Sequence, residues 1–242
     1  MGEMKKVLLV AHRGASKIAP ENTLKSFQSA IDLKADYIEF DVRQTKDGEI
    51  VVIHDGNTYR TSKHFGRVKN MLLNDLKQLD FGNGEKIPTL KELINLAKGK
   101  LALQCEIKIR GISKKVVEIL RESNVIETSK ITSFKHDILK QIKKIEPIIK
   151  IGALEPTRTG WIAGWFYKNL MIKKVIKNNF NSIHLLSRLI TKSFIKKAHN
   201  NNIEVIVWAV NSESRMKRLI AKGVDGIVTN DVELAKKVLN RE

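Results

Sequence analysis

VIVWAVNSESRMKRLIAKGVDGIVT, residues 205–229, holds the pattern on which the fold turns. A β-branched apolar run, Val205–Val210, comes first, and the amphipathic stretch Glu213–Ala221 follows it across the polar pair Asn211-Ser212. A second apolar run, Gly226–Thr229, comes next. Short apolar runs of this kind suit buried strands, and short polar side chains at a helix start accept its free backbone N–H groups. Strand, helix and strand in this order describe two parallel strands joined by a crossover helix.

The alternation continues in both directions. Downstream, Thr229-Asn230-Asp231 offers caps for a helix over Val232–Leu239. Upstream, strands are predicted at Val7–Ala11, Tyr37–Asp41, Leu101–Ile107, Lys130–Phe134, Ile149–Leu154 and Ser182–Leu186. Helices are predicted at Asn22–Leu33, Leu90–Ala97, Lys114–Glu122, Asp137–Lys144, Met171–Asn178 and Lys192–Asn200. Eight strand–helix pairs in 242 residues imply the α/β class and a closed (β/α)8 TIM barrel. No Gly/Ser/Pro-rich linker divides the chain, so residues 1–242 read as one domain.

Two segments break the rhythm. Gln44-Thr45-Lys46-Asp47-Gly48-Glu49 is a turn signal, and the strand-like Ile50–Ile53 follows it, so the second strand is expected to fold back as a hairpin. If Thr45 faces Glu49, the register returns His54 to the level of Phe40, between Glu39 and Asp41. Residues 56–88 then read as an inserted subdomain with a short helix near Asn74–Leu79. The second break, Pro156 to Asn169, carries two tryptophans and no clear helical start.

With 44 Lys and Arg against 26 Asp and Glu, the formal charge is +18. Such a charge attracts nucleic acid or anionic membrane. No nucleic-acid motif accompanies it, and most lysines fall in amphipathic stretches, so a solvated basic surface without a specific nucleic-acid partner is expected. The opening Met4-Lys5-Lys6 and its apolar run Val7–Ala11 are too short for a signal peptide, and Lys6 spoils a myristoylation motif at Gly2. The lone Cys105 lies in an apolar run and fits a cytoplasmic setting, with a membrane surface as a candidate peripheral contact.

Glu39-Phe40-Asp41 puts two carboxylates on one face where a barrel strand ends. Glu106-Ile107-Lys108 repeats the geometry on the next parallel strand with a carboxylate and an ammonium. Both follow apolar runs, and buried like charges need a cation. Three carboxylates favour a hard divalent ion, Mg2+ or Ca2+, over zinc. His12-Arg13-Gly14 ends the first strand, and His54-Asp55 ends the returning hairpin. Arginine contacts phosphate in bidentate fashion, and histidine exchanges protons near neutral pH. His64, His136, His184 and His199 are expected to be structural or surface residues.

In this order, His12-Arg13-Gly14, Pro20-Glu21-Asn22-Thr23, Glu39-x-Asp41, His54-Asp55 and Glu106-x-Lys108 resemble the motif set of glycerophosphodiester phosphodiesterases. Thr89-Leu90-Lys91-Glu92, Ser133-Phe134, Val207–Asn211 and Gly223–Asn230 extend the resemblance over Val7 to Val232. It implies a metal held by Glu39, Asp41 and Glu106, an acid/base pair in His12 and His54, and substrate contacts from Arg13, Lys108 and Trp208. Departures from the pattern lie at Asn230-Asp231, where the family often has Thr-Asp, and at Tyr59-Arg60-Thr61, a partial Leu-x-Arg-Thr block.

The implied activity is metal-dependent hydrolysis of glycerophosphodiesters to glycerol 3-phosphate and an alcohol. One histidine would deprotonate a nucleophile and the other protonate the leaving oxygen, in either assignment. A second reading keeps the chemistry and takes a lysophospholipid as substrate. It draws on Trp161-Ile162-Ala163-Gly164-Trp165-Phe166, an aromatic stretch after the fifth barrel strand that could hold an acyl chain or simply pack in the core. A non-enzymatic nucleic-acid-binding barrel is the rival from another class.

Overall fold

The computed structural model describes residues 6–156 and 164–241. Eight parallel strands form the barrel: β1 (Leu8–His12), β2 (Tyr37–Gln44), β4 (Ala102–Ile107), β5 (Ser129–Ser133), β6 (Lys150–Glu155), β7 (Ser182–Leu186), β8 (Glu204–Trp208) and β9 (Gly226–Thr229). β1 pairs with both β2 and β9, which closes the cylinder. The ninth strand among the described residues, β3 (Ile50–Val52), runs antiparallel to β2 with Val42 opposite Val52 and Gln44 opposite Ile50. The Ile53 N–H continues that register by donating to Asp41 O (2.9 Å), so His54 stands at the level of Phe40 as the turn chemistry requires.

Helices α1 (Leu24–Asp32), α4 (Leu90–Ala97), α5 (Ser113–Glu122), α6 (His136–Ile145), α7 (Gly164–Lys177), α8 (Lys192–His199), α9 (Glu213–Ile220) and α10 (Val232–Val238) connect the strands. Their starts are chemically marked. Thr23 and Thr89 cap α1 and α4 in reciprocal capping boxes with Ser26 and Glu92, and Thr191 and Asp231 accept the N–H groups of Phe194 and Leu234. α7 differs from the sequence expectation, because it begins at Gly164 inside a stretch read as irregular. No Ser, Thr, Asp or Asn immediately precedes it to announce a start. Trp161 lies outside the described residues, as does the side chain of Trp165, and the expectation of an aromatic loop lies outside them too.

Strand alternation divides the interior in two. Leu9, Ala11, Ile38, Phe40, Leu103, Cys105, Ile131, Ile151, Ile183, Val205 and Ile227 point to the helix layer and form the main core with the helices' apolar faces. There Phe27 of α1 meets Phe40 edge-on at 6.3 Å, an arrangement worth about 0.5–1.5 kcal/mol beyond the area it buries. The residues between them point to the barrel axis and are largely polar. Lys130, only 2% exposed, pairs there with Glu204 at 2.9 Å and lies over the Tyr37 ring.

Between β3 and α4 the chain makes two short helices, α2 (Tyr59–Ser62) and α3 (Leu73–Gln78), with a 3-10 turn at Val68–Asn70 between them. Val68, Leu76, Phe81 and Ile87 form a separate small core with Val51 and Ile53 of the hairpin. The hairpin therefore has one face for the barrel and one for this layer.

Among the described residues, no helix is long and apolar enough to cross a membrane.

Candidate active site

All three acidic side chains point to the barrel axis at the carboxyl ends of β2 and β4. Glu39 and Asp41 are alternate residues of β2, and the parallel register sets Asp41 beside Glu106. Each is buried, and one ligand oxygen from each lies within 4.8 Å of the others. Burial, together with Asp41 and Glu106, pushes Glu39 well above the usual carboxylate range. Burial also raises Glu106 to about 7, against the pull of Lys108 and with help from Asp41. Asp41 goes the other way: although burial opposes ionisation, Lys108 and Arg13 hold it at about 2. A triad of this kind, two of whose members resist ionisation, fits a hard divalent cation, which would offset the repulsion and take oxygen ligands.

Two cations and an amide surround Asp41. Lys108 Nζ lies 3.0 Å from Asp41 Oδ1 and 2.7 Å from Glu106 Oε1. Arg13 Nε lies 3.3 Å from Asp41 Oδ2, and its Nη1 donates to Glu21 Oε1 (2.9 Å). Asn22 Nδ2 donates to Asp41 Oδ2 (3.0 Å). The backbone that makes this possible is unusual after β1. Arg13 takes a positive φ of 56°, which aims its N–H at Glu39 Oε2 (3.0 Å), and Gly14 follows at 81°. A Cβ on Gly14 would sit 2.4 Å from Ser26 Oγ, so the close passage of this turn over α1 excludes any side chain.

The two histidines flank the acidic group. His12 ends β1 opposite Glu39, with its Nε2 3.9 Å from Glu39 Oε2. Its Nδ1 donates to Asn230 Oδ1 (2.6 Å). Burial first, and Arg13 second, lower its pKa to about 4, which leaves the imidazole neutral at pH 7. His54 Nδ1 bonds Asp55 Oδ1 at 2.7 Å. Burial lowers its pKa, while Asp41 and Asp55 act to raise it.

His12, His54, Glu39, Glu106 and Lys108 all line one small cavity of about 70 Å³. Trp208 forms part of its wall and meets Phe134 edge-on at 5.5 Å. The buried Trp208 Nε1 has no hydrogen-bond partner among the described residues. His184 belongs to the deep end. It is fully buried, and its Nε2 bonds Ser182 Oγ at 3.0 Å. Burial, with Lys130 beyond it, holds its pKa well below the ordinary value. Gly152 lies against this ring, and a Cβ there would stand 2.4 Å from His184 Nε2. His64 is exposed, and His199 pairs with Asp225 at 2.8 Å on the far side of the barrel.

His12, His54, Arg13, Lys108, Trp208, Glu39 and Glu106 line this cavity, and Asp41 belongs to the acidic group beside it. Sequence reasoning gave Asn230 and Asn211 only a helix-capping role and Glu21 none, whereas Asn230 orients His12, Asn211 Oδ1 accepts from the Asn230 N–H (2.9 Å), and Glu21 links Arg13 and Arg60. Its place at a strand end and at a departure from the family pattern marks Asn230 in the sequence, but neither points to His12.

Comparison with known proteins agrees with the geometry. The model of the glycerophosphoryl diester phosphodiesterase family matches residues 12–234. A glycerophosphodiester phosphodiesterase of Caldanaerobacter subterraneus subsp. tengcongensis is 37% identical over 94% of this chain and 96% of its own length. One from Bacillus altitudinis is 29% identical over 95% of this chain and 97% of its own. The crystal structure of a glycerophosphodiester phosphodiesterase from Thermotoga maritima superposes with a TM-score of 0.80 at 28% identity, covering 96% of this chain and 98% of that one. With the TIM barrel and the acidic triad beside two histidines, these similarities establish that the chain belongs to the glycerophosphoryl diester phosphodiesterase family and is a phosphoric diester hydrolase.

Proposed function

We propose that the protein hydrolyses glycerophosphodiesters to glycerol 3-phosphate and an alcohol, with Mg2+ or Ca2+ held by Glu39, Asp41 and Glu106. The observation that carries the reading is the shared cavity: buried carboxylates that resist ionisation stand beside two histidines and a lysine. When bound, the cation supplies Lewis-acid polarisation of the phosphate and offsets charge that repels a nucleophile. Lys108 and Arg13 hold the phosphate oxygens as charge develops on them. The Trp208 N–H is a further donor for the substrate.

The histidines divide the proton work. His12 carries its proton on Nδ1, tied to Asn230, so its neutral Nε2 is the atom that accepts a proton from the nucleophile. Burial lowers the His54 pKa, but Asp41 and the Asp55 carboxylate on its Nδ1 act to raise it, which makes it the better candidate of the two to hold a proton for the leaving oxygen. The whole chain acts as one domain with residues 56–88 as an inserted subdomain. A cytoplasmic setting is part of this reading and rests on the single buried Cys105.

The test is an assay of the purified protein on glycerophosphocholine and lysophosphatidylcholine, with and without chelator. Release of glycerol 3-phosphate that stops with chelator and returns with Mg2+ or Ca2+ is expected. No hydrolysis of glycerophosphocholine with either ion present would overturn the proposal, and preference for lysophosphatidylcholine would move it to the lysophospholipid reading.

A further inference from the structure

Beyond the small catalytic cavity lies a much larger one, of about 690 Å³, whose wall begins where the catalytic residues end. Ile109 of this wall follows Lys108, Gly56 stands two residues after His54, and Arg43 stands two residues after Asp41 on β2. Residues 39, 41 and 43 share a face of that strand, so Arg43 rises one step above the acidic pair. Its Nε donates to His54 O (2.9 Å), which fixes the guanidinium between the two cavities.

The charges of this wall differ from those of its surroundings. Arg13, Arg60 and Arg110 are each committed to carboxylates, in the last two cases at 2.6 Å. Arg43, Arg67 and Lys69 line the large cavity, and none has a carboxylate within ion-pair distance among the described residues. Arg43 is half-buried, where an unpaired charge is costly and an anion is most welcome. Nearby, Lys135 has its pKa lowered by burial and then by Arg110, Arg43 and Lys108, as a cationic field requires. Phe65, 73% exposed, adds an apolar face to the same wall.

We infer that this cavity receives the alcohol part of the substrate and selects alcohols that carry a second anionic group, a phosphate or a carboxylate. The inference rests on the proposed hydrolysis and names its substrate class. A catalytic cavity of about 70 Å³ leaves the rest of the substrate outside it, and the adjoining wall offers whatever leaves three cations that have no carboxylate within ion-pair distance among the described residues. A cationic alcohol such as choline gains nothing from that wall, while a second phosphate meets charge-assisted donors.

The experiment compares kcat/KM on glycerophosphocholine, glycerophosphoserine and bis(glycerophospho)glycerol for the wild type and the double variant Arg67→Gln, Lys69→Gln. Both side chains are exposed, so the melting temperature should hold and report an intact fold. The wild type is expected to prefer at least one anionic alcohol over choline, and the double variant to lose roughly tenfold of that preference through KM. Preference for bis(glycerophospho)glycerol identifies a phosphate as the second group, and preference for glycerophosphoserine a carboxylate. Equal kcat/KM on all three substrates, or a preference the variant leaves intact, overturns the inference while the proposed hydrolysis stands. Failure to hydrolyse any of them overturns both.

Discussion

Asp36 and Glu39 are three residues apart on one strand of chain and live in opposite electrostatic worlds. Asp36, at the amino end of β2, accepts the Leu9 N–H (2.8 Å) and pairs with Lys6 and Arg241 at 2.7 and 2.5 Å. Burial works against its charge, yet these partners hold its pKa below the usual value. Glu39, at the carboxyl end, is held well above it by burial and by the neighbouring Asp41 and Glu106. One end of the barrel is arranged to be stable with its charges as they are. The other end keeps buried carboxylates that resist ionisation, and it is there that the proposed cation and substrate would bind.

The largest effects should come from the strained end. Glu39→Gln, Asp41→Asn and Glu106→Gln are each expected to lower turnover by about a thousandfold, the scale of several kcal/mol of lost charge stabilisation. In the metal-free protein, Glu39→Gln and Glu106→Gln should melt no lower than the wild type, because each removes a group that resists ionisation. Full turnover in any two of the three at low added Mg2+ or Ca2+ would remove the proposed metal site. His12→Ala and His54→Ala should each reduce kcat by about a hundredfold. A nitrophenyl leaving group should restore part of the loss in His54→Ala and not in His12→Ala. The reverse pattern would exchange their roles.

At the other end the same kind of change should act on stability alone. Asp36→Ala leaves the Leu9 N–H and Arg241 without their acceptor and is expected to cost about 2 kcal/mol, read by denaturant melts, with kcat of the folded enzyme unchanged. A large fall in kcat would show that the two ends are not separable.

The smallest effect is a difference in pH dependence. Because the Asp36 pKa is lowered on folding, its contribution is present above about 3.9, the unfolded value, and is lost as pH falls through the folded one. The Asp36→Ala and wild-type melting temperatures should converge in acid. Glu106 is raised, so its contribution is present below about 4.3 and is lost as pH rises through about 7. Metal-free Glu106→Gln should therefore gain on the wild type between those values. Parallel curves for either pair would contradict the assignment.

Most of the barrel was readable because strand and helix periodicity are local. The hairpin register needed only the turn at Thr45–Glu49, and it delivered His54 to the acidic pair without knowledge of the tertiary fold. The start of α7 was missed for want of a capping residue before Gly164. The partners of the candidate site residues were missed for a different reason. His12 and Asn230 are 218 residues apart and meet only when β1 pairs with β9, and a single asparagine after a strand carries no sign of the ring it will orient. Glu21 and Asn22 stood in a recognised block, but Asn22 reaches Asp41 only because it adopts a positive φ of 58°, which sequence spacing does not reveal.

Gly152 gives the enzyme's future range a direction. Any side chain at that position would collide with the His184 ring, which lines the small cavity, so the floor of that cavity is set by a missing methyl group. Deepening the cup would mean replacing His184, which is buried and tied to Ser182. Variation in what such a protein accepts is therefore cheap only at the rim, where exposed residues such as Phe65, Arg67 and Lys69 can drift under selection without disturbing the chemistry below.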